Sequence, residues 1–548
     1  MNLNIDKAKK ELILRAYERG ITKPRDFMIL KNEISEEFKV DSLPNYGLTQ
    51  IYEKLVKDKN IKTNKGLEKL LRKAKVRTLS GVAVVSVLTK PYACPGNCLY
   101  CPTEKDMPKS YLSNEPAVMR AILCEFDPYR QVIMRLEALK KAGHSTDKIE
   151  LIIMGGSFNS LPLDYQYWFV GECFRACNHF AQKNQKSNLK NQNLGVASRQ
   201  YLIFNIQLKT EQIKNEKARS RIIGLTLETR PDLINEKELL KFREMGCTRI
   251  EIGVQSIYDD ILKKNKRGHG VKEIIEATKL MKDFGFKISY HMMPGLYGSS
   301  PKKDLEMFKE LFSNSDFQPD QLKIYPCVVV KDSELYDLWK MGKYKPYTPK
   351  QLEDLLCDIK KIIPPYIRIS RLIRDIPEES ILAGNKITNL RQVIDNRSQK
   401  EGWRCQCIRC REIRDKESFN HINKKTKLKT NRIEYNASGG KEVFLELVDN
   451  DYHLYALLRL RIVETQNFAS LPGAIIREIH TYGEAIDVGK KGEASQHKGL
   501  GQKLIIEAEK IAKEMGCDKI AVISGVGVRG YYKKLGYNLE DTYMVKKL

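Results

Sequence analysis

GVAVVSVLTKPYACPGNCLYCP, residues 81–102, sets how the rest of the chain is read. Its opening, GVAVVSVLT, is dominated by β-branched side chains and reads as a strand. The loop that follows brings Cys94, Cys98 and Cys101 together, with Pro95, Gly96 and Pro102 bending the backbone around them. A C-x3-C-x2-C loop can turn three thiolates toward one point. Structural zinc takes four ligands, so a zinc knuckle needs a distant fourth. On a cubane iron–sulfur cluster the same three thiolates leave one iron free for another ligand. Three buried thiols without metal are the plainest alternative, and the spacing by itself leaves all three readings open.

Strand-like runs recur downstream: IELIIMGGSF (149–158), IIGLTLETRPD (222–232), RIEIGVQS (249–256), KISYHMMPGL (287–296) and QLKIYPCVVV (321–330). Amphipathic helical stretches separate them. Six strand–helix units in series predict an α/β fold with a parallel, partial (β/α)6 barrel. In such barrels chemistry gathers in loops leaving the C-terminal strand ends, and the cysteine loop leaves the first strand there. That position favours the open iron, where S-adenosylmethionine sits when the chemistry is radical. Gly155 and Gly156 end the second strand and let a ligand approach the backbone, although a tight turn explains a lone Gly-Gly equally well. Glu228, Thr229 and Arg230 end the third strand and Gln255 the fourth, so polar residues converge on one mouth. Lys266, Arg267 and His269, in NKRGHG, fit either a phosphate contact or an exposed turn.

The 548 residues accommodate three or four domains, and 42% hydrophobic residues mean that most of the chain folds. A formal charge of +26 predicts a polyanionic partner, most simply nucleic acid; a basic thermophile surface is the alternative. Thirteen cysteines without a disulfide-like framework suit a reducing cytosol and metal sites. With no signal-peptide pattern, and apolar runs such as 82–88 too short for a bilayer, a soluble cytoplasmic protein is expected.

Residues 1–79 read as a basic helical region, with Leu12, Ile13, Ala16 and Tyr17 at helical spacing. Lysines and arginines crowd residues 54–77, among them Lys69, Arg72, Lys73 and Lys75. We read a phosphate-backbone contact there; a solvated helix face is the bland reading. The barrel then spans 80–370. Inside it KNQKSNLKNQNLGVASRQ (183–200) is polar and aperiodic, and reads as a mobile, peripheral insertion. Residues 371–437 read as a linker. Its WRCQCIRCREIR carries Cys405, Cys407 and Cys410 among arginines, with no barrel strand around them, so a structural zinc is expected. The fourth ligand is open: His421 is one candidate, Cys327 and Cys357 are others.

From 438 to 548 the chain reads as a separate α/β unit, with strands KEVFLELVD, HLYALLRLRIV and AIIREIHTYG. QHKGLG (496–501) then opens a helix, and glycines at a helix N-terminus favour a pyrophosphate. With strand KIAVIS and then GYYKKLGY behind it, this unit resembles the acetyl-CoA-binding core of the GNAT acetyltransferases.

A cysteine loop of radical type joined to such a unit resembles the catalytic subunit of Elongator, in its single-chain archaeal and bacterial form. The similarity runs through CPGNCLYCP, MGGSF, LTLETRPD, IEIGVQS, NKRGHG, REIHTYG, QHKGLGQKL and GVGVRGYYKKLGY. The resemblance implies a tRNA-modifying acyltransferase that forms 5-carboxymethyluridine at wobble position 34 by radical chemistry on acetyl-CoA. It implies that Cys94, Cys98 and Cys101 ligate a [4Fe–4S] cluster and that Gly155, Gly156 and Gln255 bind S-adenosylmethionine. Acetyl-CoA would meet Lys148, then Glu478, Ile479, His480 and Thr481, then Leu500, Gly501 and Gln502, and Tyr532. The family's zinc region corresponds to Cys405, Cys407 and Cys410. The implied partners are the tRNA anticodon loop, held by the basic segments, and an external electron donor; a homodimer is compatible, and no membrane is involved. The competing classes are a protein lysine acetyltransferase with a structural cluster, a radical tRNA enzyme of another reaction type such as methylthiolation, and a silent tRNA scaffold.

Overall fold

The computed structural model describes residues 2–40, 43, 47–71, 81–180, 197–413, 428–463, 473–483 and 499–548. The six expected strands are present: β1 (Ala83–Leu88), β2 (Lys148–Met154), β3 (Arg221–Thr229), β4 (Arg249–Gln255), β5 (Lys287–Met292) and β6 (Gln321–Ile324). Each pairs in parallel with the next, and helices such as Pro128–Lys141, Leu163–His179 and Val271–Asp283 make the crossovers. Parallel pairing requires such crossovers, which cover the outer face of the curled sheet.

Two short strands, β7 (Val329–Val330) and β9 (Ile381–Ala383), pair antiparallel beside the sheet. Between them in sequence lies β8 (Arg368–Arg371), which joins the half-barrel as a seventh parallel strand next to β6. It lies at the expected end of the barrel, and Ile367 and Ile369 are fully buried in the barrel core.

The C-terminal unit forms a second seven-stranded sheet from β10 (Lys429–Ala437), β11 (Gly440–Val448), β12 (Leu454–Ile462), β13 (Ala474–Thr481), β14 (Lys519–Val522), β15 (Asn538–Glu540) and β16 (Tyr543–Lys547), ordered β10-β11-β12-β13-β14-β16-β15. β10 falls in the stretch expected to be linker. Its charged residues alternate with half-buried ones, the pattern of a strand with one wet face. On one side of this sheet the helix Leu500–Glu514 packs Leu504, Ile505 and Ala508 against Leu445, Leu458 and Ile476.

The opposite side covers the N-terminal end of the half-barrel. There Leu457, Ile475, Ile523 and Tyr543 join the barrel core. Around them Arg459, Arg461 and Arg477 are fully buried. Arg461 is 2.5 Å from Asp283, and Arg477 is 2.5 Å from Asp320, both barrel carboxylates. Gly525 sits so close to the barrel that a Cβ there would lie 2.0 Å from the Ile223 carbonyl oxygen.

At the other end of the chain, helices Asn2–Glu18, Pro24–Glu37, Leu48–Lys57 and Lys65–Leu71 bury their apolar faces in a core of their own, around Leu12, Ile13, Ile34 and Leu55. Of the basic run, Lys54, Lys57, Lys59 and Lys62 face solvent; the Lys69 side chain, Arg72, Lys73 and Lys75 lie outside the described residues. Most of the polar insertion, 181–196, also lies outside them. Its last residues, 197–200, are helical instead of irregular, opening the helix Ala197–Asn215.

Candidate active site

A cavity of about 690 Å³ runs through the half-barrel from the cysteine loop toward the second sheet. The two-residue period of a strand builds its wall. On β2, Ile149, Leu151 and Ile153 pack against the helices, while Glu150, Ile152 and Met154 face inward. β4 turns Ile250 and Ile252 outward and Arg249, Glu251 and Gln255 inward; β5, β6 and β8 add His291, Lys323 and Arg368. Sequence reasoning missed these interior charges. Their signal was a charged residue at alternate positions of strands whose other positions are aliphatic.

Glu251 is the hub of the wall. His291 Nε2 lies 3.1 Å from its carboxylate, Lys323 donates to it, and Arg249 Nε is 3.7 Å away. Burial pushes this carboxyl up, but Lys323 and His291 outweigh burial and hold it well below the usual range. Glu150 on β2 pairs with Arg249 on β4, reaching across the intervening β3. Glu228 accepts from Tyr111 Oη at 2.7 Å.

The C-terminal strand ends carry the cysteine loop, and Cys94, Cys98 and Cys101 all line the cavity. The loop rests on two arginines. A Cβ on Gly96 would lie 2.0 Å from Arg230 Nη1, so the glycine lets the chain lie against the guanidinium. Arg267 Nη1 donates to Cys98 Sγ at 3.1 Å. A hydrogen bond from Cys101 and then the Arg267 charge pull the Cys98 thiol down to about 4. NKRGHG therefore turns Arg267 and His269 inward, while Lys266 stays exposed.

The three thiols do not close on one point as a single ion's ligands do, since they are absent from the described groups whose donor atoms all lie within 4.8 Å of one another. A multi-iron cluster accommodates that wider spread. Beside them Gly155 and Gly156 have φ of +140° and +91°, and a Cβ on Gly155 would lie 2.0 Å from Thr89 Oγ1. Gly156 leaves bare backbone on the cavity, while Gly155 packs tightly against Thr89. Gln255 has φ +68°, and its Oε1 is buried without a hydrogen-bond partner. A buried orphan acceptor facing a cavity is what a ligand's donor satisfies. The residues fit both a cluster and S-adenosylmethionine.

At the opposite end the cavity is lined by Glu150, Arg249 and Arg368. Arg368 pairs with Glu412 and lies 3.3 Å from Tyr482 Oη. Lys148, the half-buried first residue of β2, shares a strand face with Glu150. β13 pairs with β14 only from Ala474 to Ile476, so the two strands splay beyond that point. The register shift against β12 leaves Arg477 as an extra residue between Ile476 and Glu478. Glu478 commits its side chain to Lys287 at 2.8 Å and Arg459 at 2.9 Å, leaving its main chain for any ligand in the splay. Burial lowers the His480 pKa, so the ring is neutral at pH 7.

Gly499, with φ +72°, precedes the helix Leu500–Glu514, whose first intrahelical bond is Lys503 N to Gly499 O. The N–H groups of Leu500, Gly501 and Gln502 therefore lie ahead of the ladder and suit a pyrophosphate. A Cβ on Gly501 would meet Tyr531 Oη, Ile479 and Thr481 within 3.6 Å, so the helix start and the β13 splay form one cleft. Tyr532 is only 4% exposed and sits in the core, whereas Tyr531, at 41%, stands at the cleft. Gln496, His497 and Lys498 lie outside the described residues.

Cys405, Cys407 and Cys410 come together with sulfurs within 4.8 Å of one another. Among the described residues no histidine or carboxylate completes that group, and His421 lies outside them. The loop joins both sheets: Ile408 N bonds the Ile367 carbonyl, and Arg411 pairs with Glu446 at 2.8 Å. Among the described residues no helix is long and apolar enough to cross a membrane.

Comparison with known proteins matches residues 89–311 to the Radical SAM superfamily, 319–400 to a Radical SAM C-terminal domain and 424–537 to the acetyltransferase (GNAT) family. A tRNA uridine(34) acetyltransferase of Methanocaldococcus infernus is 42% identical over 99% of this chain and 95% of its own. One from Dehalococcoides mccartyi is 44% identical over 86% of this chain and 99% of its own. Elongator complex protein 3 of Schizosaccharomyces pombe is 40% identical over 95% of this chain and 94% of its own. The solved structure of the archaeal Methanocaldococcus infernus Elp3 with an N-terminal deletion superposes with a TM-score of 0.71 at 40% identity, covering 85% of this chain and 99% of that one.

Proposed function

Since the chain belongs to the family of the tRNA uridine(34) acetyltransferases and Elongator complex protein 3, we propose that it modifies the wobble uridine of tRNA, building a carboxymethyl group at C5 from acetyl-CoA. It is an enzyme of the acyltransferase class, with Radical SAM and GNAT parts in one chain. One observation carries the finer reading: the cavity that holds the cysteine loop extends to Arg368, and Arg368 lies 3.3 Å from Tyr482 Oη, next to the end of β13 in the second sheet.

In this reading Cys94, Cys98 and Cys101 hold a [4Fe–4S] cluster, and Gly155, Gly156 and Gln255 hold S-adenosylmethionine. Lys148, the main chain of 478–481 and the helix start at Leu500, Gly501 and Gln502 serve acetyl-CoA, with Tyr532 in the core behind Tyr531 supporting the cleft. Bound together, cluster and S-adenosylmethionine supply the hydrogen-abstracting chemistry that an unactivated methyl group requires. The chain itself positions and excludes water. Glu251 fixes His291 and Lys323, so a substrate meets donors whose directions are set beforehand. Arg368, bound to Glu412 and near Tyr482, ties the cavity floor to the sheet that carries the acetyl-CoA cleft. Lys69, Arg72, Lys73 and Lys75 would hold the tRNA backbone, Cys405, Cys407 and Cys410 a structural zinc, and a separate donor would deliver the electron.

The test incubates reconstituted, reduced protein with tRNA and both cofactors, omitting each in turn, followed by nucleoside mass spectrometry. A carboxymethyl mass gain on uridine only in the complete mixture is expected. Product formed without S-adenosylmethionine, or acetyl transfer to peptide lysine instead, overturns the proposal.

A further inference from the structure

Arg267 and Arg230 both face the cysteine loop, but only one of them has a carboxylate. Arg230 pairs with Asp232 at 3.0 Å, and its Nη2 donates to the Arg267 carbonyl at 2.6 Å. Arg267 is 4% exposed, and among the described residues no carboxylate lies within 4.0 Å of its nitrogens. Its partners are Cys98 Sγ at 3.1 Å, the Gly253 carbonyl and His269 Nε2 at 2.9 Å. A guanidinium only donates, so His269 accepts on Nε2 and is neutral, with its Nδ1 toward the Gly270 carbonyl at 3.4 Å. The Arg267 Nε is buried without a partner.

Burying a cation without an anion is strongly unfavourable, so a buried guanidinium calls for a negative partner. Cysteine sulfur is the only partner here that can carry negative charge. We infer that Arg267 is the counter-ion of the iron–sulfur cluster and sets its reduction potential, an inference that rests on the cluster reading above. One-electron reduction adds a negative charge to the cluster. A fixed cation hydrogen-bonded to a ligand sulfur stabilises the reduced form more than the oxidised one, and so raises the potential. Gly253 and His269 aim the guanidinium, while Arg230 pins the backbone that carries it. Arg267 is thus a positioning and tuning residue that acts through the Cys98 sulfur.

The test uses anaerobically reconstituted full-length protein, wild type against Arg267→Gln and Arg267→Lys. Iron per chain is counted, and the midpoint is read by EPR-monitored redox titration without S-adenosylmethionine. Arg267→Gln should keep its iron but show at least a tenfold lower reduced-to-oxidised ratio at fixed poise, equal to about 59 mV for one electron. Arg267→Lys, which keeps the charge, should fall between. An unchanged Arg267→Gln midpoint overturns the inference, as does a loss confined to S-adenosylmethionine affinity. If neither variant assembles a cluster, His269→Ala is titrated instead: a lowered midpoint supports the inference and an unchanged one overturns it. A wild-type chain that binds no cluster would sink the cluster reading itself.

Discussion

Cys98 and Gly155 show how far single residues decide this site. Cys98 accepts from Arg267 and from Cys101 of the same loop. Cys98→Ala should abolish uridine modification while leaving tRNA affinity within about twofold of wild type, measured by nucleoside mass spectrometry and filter binding. Retained modification would contradict a three-thiolate cluster. Gly155→Ala puts a Cβ 2.0 Å from Thr89 Oγ1 at φ +140°, so clash and backbone strain coincide. We expect S-adenosylmethionine affinity to fall about tenfold or more, measured by equilibrium dialysis on reconstituted protein; unchanged affinity would mean that the glycines only make a turn. Both residues were legible in the sequence, because spacing and strand-end position survive without neighbours. Arg267 and Glu251 were not. Their roles depend on side chains from other strands and loops, and a one-dimensional motif does not say which of those completes the contact.

At the level of elements, the six strands rich in β-branched residues were readable, and the charged β10 was not. β10 only half-buries alternate positions, so its polar face dominates the composition. The same ambiguity hid the charged face of the second sheet. Arg477 meets Asp320 and Glu442 in full burial. Arg477→Met leaves two buried carboxylates short of their cation, and should cost about 3–5 kcal/mol of stability by denaturant unfolding. A loss below about 1 kcal/mol would mean that water repays the pair. Burial would raise the Glu442 carboxyl, but Arg477, Lys282 and Arg461 hold it down to about 2. An unfolded glutamate titrates at about 4.3. The unfolded state therefore binds more protons between these values, and the stabilisation, complete above about 4.3, is lost as pH falls toward 2. Thermal melts should show a steep drop in that window, flattened in Glu442→Gln; identical profiles would remove Glu442 from the account.

At the scale of the whole molecule, the basic run lies ahead of the half-barrel in the chain. The four N-terminal helices keep a separate core and turn Lys54, Lys57, Lys59 and Lys62 to solvent, ahead of the half-barrel. Neutralising Lys69, Arg72, Lys73 and Lys75 should weaken tRNA binding and flatten its log–log salt dependence by up to about 3 units. An unchanged slope would leave the run as a solvated helix face.

The floor of the half-barrel also has a consequence for the way the protein is made. Tyr543 Oη donates to the Phe284 carbonyl at 2.8 Å, and Arg243 reaches the carbonyl of Thr542, so the last strand seals segments synthesised some three hundred residues earlier. On the ribosome, Asp283 and Asp320 emerge long before Arg461 and Arg477, the arginines that will neutralise them. Between those two points of its translation the nascent chain holds an unsealed barrel with acidic groups awaiting their cations. A message cut short by even one late stop codon would yield a product that cell proteases can distinguish from the finished enzyme.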